Sequence, residues 1–199
     1  MTARKLILAE KPQVGRDLAR VLGVSGRGDG SLVSERYVIT WCIGHLVELC
    51  EPHEYDAAWK PWRLDRLPML PRPFKLRPIR TSLRQWKVVR ELLRDRSFAS
   101  VVNACDAGRE GESIFRTVYN LTGCKKPMLR LWISSMEDAA IREGFSALKP
   151  GGDYDGLYAS ALCRSKADWL VGINATRLFS VLYHRTLNIG RVMSPTLAL

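Results

Sequence analysis

The chain has 199 residues, 46% of them hydrophobic, which is typical of a globular protein long enough to bury a core. It carries 31 Lys and Arg residues against 20 Asp and Glu residues, and the resulting formal net charge of +11 indicates a polyanionic partner. No apolar run is long enough to cross a bilayer, and the sequence shows no signal peptide. The odd number of cysteines, five, and the lack of a signal peptide favour a reducing, cytosolic setting. Cys50 and His53 have a metal-like spacing, but no second pair completes a zinc site.

The first element is a short apolar strand over residues 5–9, followed directly by Glu10 and Lys11. Pro12 is well suited to the first position of a helix. Helical spacing then continues through Val14, Leu18 and Val21. This end of the chain therefore predicts a strand, an acidic junction and a helix.

Residues 24–35 are rich in Gly and Ser and predict a flexible loop. The β-branched and aromatic run 37–43 predicts a strand that ends at Gly44. His45 is read either as a histidine satisfied within the fold or as a phosphate or nucleotide contact. Residues 51–80 contain six prolines, which exclude a long helix, and are strongly basic. That segment is either a solvated loop or a nucleic-acid contact with interleaved tryptophans.

A helix is predicted from Ser82, as its N-cap, to about Arg96, and a buried strand over 98–104. The strand ends at Asp106, and a helix starting near Gly111 carries Glu110 and Glu112 at its beginning. Carboxylates gathered at the carboxyl ends of strands suit Mg²⁺, which takes oxygen ligands. The alternative is that the two glutamates only complement the positive end of the helix dipole.

A further strand is predicted over 129–133 and a helix from Ser135, stopped at Pro150-Gly151-Gly152. Alternating strands and helices predict an α/β fold, a mainly parallel sheet covered on both faces. From residue 155 the sequence is helical, continued in one reading by a second helix over 175–187. The predicted domains are therefore 1–150 and 151–199, the latter too short to be an independent domain.

Two motifs carry a family resemblance. Ala9-Glu10-Lys11-Pro12, together with Asp106-x-x-Arg109-Glu110-Gly111-Glu112, resembles the TOPRIM domain of type IA DNA topoisomerases, especially the topoisomerase III branch. Segments 40–46, 62–68, 160–177 and 190–197 resemble further parts of that family in the same order. Several separated matches in order are far more specific than one motif.

The resemblance implies a Rossmann-like TOPRIM domain at 1–150 and the incomplete start of a helical DNA-binding domain at 151–199. It implies a Mg²⁺ site at Glu10, Asp106 and Glu110, with Glu10 also as general acid/base and Lys11 on the scissile phosphate. The residues it places at single-stranded DNA are Lys11, His45, Arg109, Arg164, Asp168, Asn174, Arg177 and Arg191.

Alternatives remain open at several of these positions. Lys11 could be a solvated lysine, and Arg164 and Asp168 could form an ion pair along a helix. Arg177 or Arg191 could cover apolar surface with its stem. The chain also departs from the family pattern. Gly108 stands where many members have a second aspartate, which predicts weaker metal binding, and Met193 replaces a usual glutamine.

The function expected from the resemblance is the N-terminal part of a magnesium-dependent type IA topoisomerase, which cleaves one DNA strand, passes another through the gap and reseals the break. The catalytic tyrosine and the remaining C-terminal domains are expected beyond Leu199, and the setting is the cytoplasm, with the nucleoid. The alternatives are a non-catalytic single-stranded nucleic-acid-binding module and a TOPRIM nuclease or primase. The matches at 160–177 and 190–197 argue against the nuclease or primase.

Overall fold

A computed structural model describes residues 4–199. Contacts within the chain divide them into two compact units. Unit 1 comprises the described residues up to Glu48 together with Pro78–Ala161, and unit 2 comprises Leu49–Arg77 with Leu162–Leu199. The predicted domain boundary near residue 150 stays a prediction.

The secondary structure alternates between strands and helices through the first two thirds of the chain. The strands are β1 (Lys5–Ala9), β2 (Gly26–Gly28), β3 (Ser31–Val33), β4 (Tyr37–Trp41), β5 (Val47–Leu49), β6 (Leu76–Pro78), β7 (Ser100–Ala104), β8 (Met128–Arg130) and β9 (Lys149–Pro150). The helices are α1 (Pro12–Leu22), α2 (Pro52–Tyr55), α3 (Leu83–Arg94), α4 (Arg109–Thr122), α5 (Asp138–Ser146), α6 (Asp155–Leu182) and α7 (Met193–Leu197).

Unit 1 is built on a seven-stranded sheet in the order β2-β3-β4-β1-β7-β8-β9. Its four central strands run parallel, while β2, β3 and β9 pair antiparallel at the two edges. Strands β1 and β7 are buried along nearly their whole length because helices cover both faces of the sheet. The predicted mainly parallel α/β sheet flanked by helices is confirmed.

One face of the sheet packs against α1 and α5 around Ile7, Leu18 and Ile141. Leu6 and Leu8 alternate with Ile7 along β1, so their side chains lie on the opposite face of the sheet, and both are fully buried. Helices α3 and α4 contact each other. Helices α1 and α4 each end at a glycine with a left-handed backbone, Gly23 (φ 68°) and Gly123 (φ 70°), which only glycine adopts without strain.

Several local predictions were wrong. The expected flexible loop at 24–35 contains the β2–β3 hairpin, whose strands gain hydrogen bonds at the sheet edge. Strand β8 stops at Arg130, and α5 starts at Asp138 rather than at Ser135. Ser82 occupies the N-cap position of α3, but its side chain makes no capping hydrogen bond. A single helix, α6, runs to Leu182 where two were considered.

Unit 2 joins part of α6 to the proline-rich segment. The Trp169 side chain donates a hydrogen bond to the Cys50 carbonyl (3.0 Å), and its ring meets Tyr55 and Phe74 edge-on, with centroids 5.8 and 5.6 Å away. The proline-rich segment holds only short elements, among them α2, two 3-10 turns and strand β6. Half-buried aromatic rings thus hold the proline-rich segment against α6 within this unit.

Among residues 4–199, none of the helices is both long enough and apolar enough to cross a membrane.

Thiol accessibility tests this packing. Cys163 is exposed, whereas Cys42, Cys50, Cys105 and Cys124 are buried. Burial also raises the pKa of Cys42 and Cys105, which keeps them in the unreactive thiol form at neutral pH. A thiol reagent should therefore label native protein at Cys163 first, as read by mass spectrometry.

The C163S variant should show little labelling until denaturant is added. Rapid labelling of Cys42 or Cys105 in native protein would contradict the described core.

Candidate functional site

The candidate site lies where the chain reverses its direction of travel across the sheet. Strand β4 lies on one side of β1 and β7 on the other, so the parallel sheet has its topological switch point between β1 and β7. Ligands of open α/β sheets bind in the crevice at such a point, outside the carboxyl ends of the strands. Ala9 pairs with Ala104 at these ends, so the residues that follow them are neighbours.

Glu10 follows β1 directly and is only 6% exposed. Its Oε2 accepts a hydrogen bond from the Asp106 backbone N–H (3.2 Å), and its Oε1 lies 3.5 Å from Lys11 Nζ. The Lys11 side chain is 61% exposed, so its ammonium remains open to an incoming anion. Two predicted residues, Glu10 and Asp106, are therefore brought together, with Lys11 beside them.

Asp106 lies on the loop between β7 and α4 and is exposed. Beneath this loop, the Arg130 guanidinium donates to the carbonyls of Cys105 (2.6 Å) and Asp106 (2.6 Å). Gly111 packs against the same loop so closely that a Cβ there would lie 2.1 Å from the Asp106 carbonyl oxygen. The backbone of the loop is thus held from several sides while its carboxylate faces outward.

Glu112 is 1% exposed and belongs to a buried charge network. Its Oε1 lies 2.8 Å from Arg130 Nε, and its Oε2 accepts from Arg116 Nε (3.2 Å). Asn103 Nδ2 also donates to Glu112 Oε1 (2.9 Å). Although Glu112 stands in the first turn of α4, its partners are two buried arginines, so helix-dipole complementation is not its main role.

Sequence reasoning missed Arg130, Arg116 and Asn103. The available signal was Arg130, a charged residue between Leu129 and Leu131 in an apolar run. A buried arginine needs a buried carboxylate partner, and Glu112 is such a residue.

Glu110 and His45 form a hydrogen-bonded contact at the same edge of the sheet. His45 Nε2 lies 2.6 Å from Glu110 Oε1, and the Glu110 side chain is 74% exposed. His45 thus has a partner within the fold and remains partly accessible. Arg109, the first residue of α4, is exposed beside it.

Among residues 4–199, no three His, Cys, Asp or Glu side chains are gathered closely enough to enclose a metal ion. The donor chemistry nevertheless fits Mg²⁺, which is usually held by one or two carboxylates plus water and substrate phosphates. Glu10 and Asp106 supply such a pair of carboxylates. Gly108 has an extended backbone and open space where a Cβ would stand, so an aspartate there is sterically allowed.

In unit 2, Asp168 pairs with two of the predicted DNA-binding arginines. Arg191 Nε donates to Asp168 Oδ1 (2.7 Å), and Arg164 Nε lies 3.7 Å from Asp168 Oδ2. All three side chains are substantially exposed, so this intrahelical pair and its Arg191 partner form a surface cluster. Their predicted DNA contacts stay predictions.

Asn174 and Arg177 have structural partners within unit 2. Asn174 Oδ1 accepts from the Met69 N–H (2.6 Å), and its Nδ2 donates to the Met69 carbonyl (3.1 Å). Arg177 is 7% exposed, donates to the Trp59 carbonyl and lies over the Trp62 ring (5.5 Å). Burial lowers the pKa of Arg177. The phosphate contact predicted for Arg177 stays a prediction beside this packing role.

Known proteins with similar sequences share this organisation. The profile of the Toprim domain family matches residues 5–136, and that of the DNA topoisomerase family matches residues 153–199. DNA topoisomerase 3 of Bacillus thuringiensis (strain Al Hakam) and that of Bacillus subtilis (strain 168) are each 46% identical over 197 residues, 99% of this chain. The chain spans 27% of the length of these relatives.

A solved structure, full-length topoisomerase I from Thermotoga maritima, matches 97% of this chain and 29% of that protein, with a TM-score of 0.64 and 20% identity. This likeness supports the fold. The resemblance drawn from the sequence is confirmed. The chain belongs to the Toprim domain family over residues 5–136, and residues 153–199 after it match the DNA topoisomerase family.

Proposed function

We propose that this chain forms the metal- and phosphate-handling part of a type IA DNA topoisomerase that acts on single-stranded DNA and depends on Mg²⁺. The observation that carries the proposal is the contact between Glu10 and Asp106 at the switch point, with Lys11 exposed beside it. The match to DNA topoisomerase 3 supports it. Such an enzyme would work on chromosomal DNA, in the cytoplasm and at the nucleoid.

Within this proposal, Glu10 and Asp106 would hold the metal as a pair of carboxylates, and Glu110, which contacts His45 in this structure, is the third predicted ligand. Bound there, Mg²⁺ would supply charge stabilisation to the phosphate of the cleaved strand. Lys11 binds a non-bridging oxygen of that phosphate and offsets its charge. Glu10, mostly buried beside Lys11, would hold or release a proton at the sugar oxygen that leaves and later returns.

DNA binding is assigned to the exposed basic groups. Lys11 and Arg109 flank the acidic edge in unit 1, and Arg164 and Arg191 carry the charge in unit 2. His45, held by Glu110, faces the same edge as Lys11. Asp168 and Asn174 orient Arg191 and the Met69 backbone, respectively, and so shape the surface on which a strand would lie.

Magnesium titration tests the site. Asp106→Ala should abolish binding because it removes a predicted ligand, whereas Asp138→Ala, which removes an exposed carboxylate paired with Arg20, should leave it intact. Gly108→Asp should tighten binding because its carboxylate enters open space at the start of α4. Isothermal titration calorimetry on the four proteins measures these changes.

Equal affinity of wild type and Asp106→Ala would remove Asp106 from the ligand set. A Gly108→Asp protein that binds no more tightly would remove the explanation offered for a weak site.

Salt dependence tests the DNA surface. Each phosphate contact contributes about −0.7 to the slope of log affinity against log salt for a single strand. Replacing Arg164 or Arg191 with alanine should therefore flatten the slope by roughly that amount, as measured by fluorescence anisotropy with a labelled oligonucleotide. Arg142→Ala, which removes an exposed arginine of α5, is the matched control and should leave the slope unchanged.

Slopes that respond to Arg142 as much as to Arg191 would indicate a diffuse charge effect in place of a defined surface.

A plasmid relaxation assay distinguishes the proposed enzyme from a non-catalytic nucleic-acid-binding module. The net charge of +11 is compatible with either function. None of the six tyrosines has the sequence setting of the family's nucleophile, and cleavage needs an activated nucleophile at the phosphate. The 199-residue chain with Mg²⁺ should therefore bind plasmid without relaxing it or forming a covalent adduct.

A longer protein that carries the downstream tyrosine should relax the plasmid, and Lys11→Ala should impair it. An adduct on one of the six tyrosines would overturn the assignment. Cleavage without an adduct would favour a nuclease.

A further inference from the structure

Arg130 is an internal support of the loop that carries Asp106. It is 1% exposed, and its guanidinium donates to the Asn103 carbonyl in β7 (3.1 Å) and to the carbonyls of Cys105 (2.6 Å) and Asp106 (2.6 Å) in the loop. A fourth bond goes to its neighbour, the Leu131 carbonyl (2.8 Å). Nη1 serves the carbonyls of Asn103, Cys105 and Leu131, and Nη2 serves that of Asp106. The bond to Asp106 therefore needs the second nitrogen of the guanidinium fork, which a lysine ammonium lacks.

The charge of Arg130 is balanced within the core. Its Nε lies 2.8 Å from Glu112 Oε1, although the N–H direction falls outside hydrogen-bond geometry, so the pair is chiefly electrostatic. The other carboxylate oxygen of Glu112 accepts from Arg116. Burial lowers the pKa of Arg130, and the adjacent Glu112 opposes that shift. Arg130 therefore stays charged at neutral pH, and the hydrogen bonds of its guanidinium go to backbone carbonyls, two of them in the loop that carries Asp106.

The same loop is fixed on its other sides. The Asp106 N–H donates to Glu10, so the peptide groups on both sides of this residue are held, one by a carboxylate and one by a guanidinium. The Trp132 and Tyr154 rings cover the Arg130 guanidinium at 5.0 and 5.9 Å and shield it from water. The direction in which the Asp106 side chain leaves the loop therefore depends on Arg130.

We propose that Arg130 is a positioning residue for magnesium, which acts by holding the Asp106 carboxylate beside that of Glu10. This inference rests on the proposed metal site. It goes beyond that site because Arg130 touches neither metal nor DNA and acts only through the carbonyls of the loop.

Electrostatics and positioning predict opposite effects when Arg130 is replaced. Arg130→Met removes a positive charge near the site and leaves Glu112 less compensated, so charge alone would tighten cation binding. Loss of the loop's donors would weaken it. Partners that orient metal ligands from behind typically change metal affinity by about 10- to 100-fold when mutated. We expect a weakening in that range.

Arg116 provides the matched control. It pairs with the same Glu112, yet its other contacts go to the Gly151 carbonyl and Asp155, away from the loop. Arg116→Met therefore removes the same charge from the same partner while leaving the loop's hydrogen bonds in place. We expect this variant to bind Mg²⁺ at least as tightly as the wild type.

The test measures Mg²⁺ affinity by calorimetry and amide exchange of residues 104–108 by mass spectrometry in the 199-residue chain. Arg130→Lys keeps the charge and should weaken binding and speed exchange, as should Arg130→Met. If Arg130→Met does not fold, the double variant Arg130→Met with Glu112→Met is used in its place. This double variant leaves no unpaired carboxylate from the pair in the core. Circular dichroism confirms the fold of each protein.

Folded Arg130 variants that bind Mg²⁺ as the wild type does would overturn the proposal, as would an equal loss in Arg116→Met. If wild-type binding is absent or insensitive to Asp106→Ala, the metal site itself fails, and the role of Arg130 toward it fails with it. Faster loop exchange in that case would still show that the loop is anchored, which separates the two failures.

Discussion

The parallel pairing of β1 with β7 is the constraint on which the candidate site depends. It sets Ala9 opposite Ala104 and brings Glu10 and Asp106 into contact across a sequence separation of 96 residues. A slip of one residue would turn every side chain of a strand to the other face. Because both strands are buried on both faces, such a slip would place each side chain in packing shaped for a different residue. Burial of the sheet thus fixes the place of the Asp106 backbone beside the Glu10 carboxylate.

The buried charge network sits at the same edge and has a cost. Removal of one partner from a buried ion pair typically destabilises a protein by about 3–5 kcal/mol, whereas apolar replacement of the whole pair is often neutral. Stability alone therefore gives little reason for Arg130 and Glu112 to occupy the core. Their bonds to Asn103 and to the loop carbonyls give another reason, since apolar side chains would leave those polar groups unpaired.

The sequence was sufficient for the parallel sheet and for the acidic edge, because apolar runs followed at once by Glu10 and Asp106 have few other interpretations. It was insufficient for the β2–β3 hairpin, since Gly-rich strands at a sheet edge show no apolar alternation and gain their order from a neighbour. It was also insufficient for Arg130, because its pairing with Glu112 of α4 becomes visible only in the folded structure. The partners of Asn174 and Arg177 lie more than 100 residues away in the chain, beyond the reach of local patterns.

Unit 2 is interleaved with unit 1 along the chain, and this order affects how the protein is made. The Met69 backbone cannot form its hydrogen bond to Asn174 until that residue is synthesised, 105 residues later. At about 5–20 residues per second, a ribosome takes roughly 5–20 s to cover that interval. During that time the segment with Trp59, Trp62 and Met69 emerges without its helix, while the sheet of unit 1 is still incomplete. The side chains of this segment therefore stay without their α6 partners over that interval of synthesis.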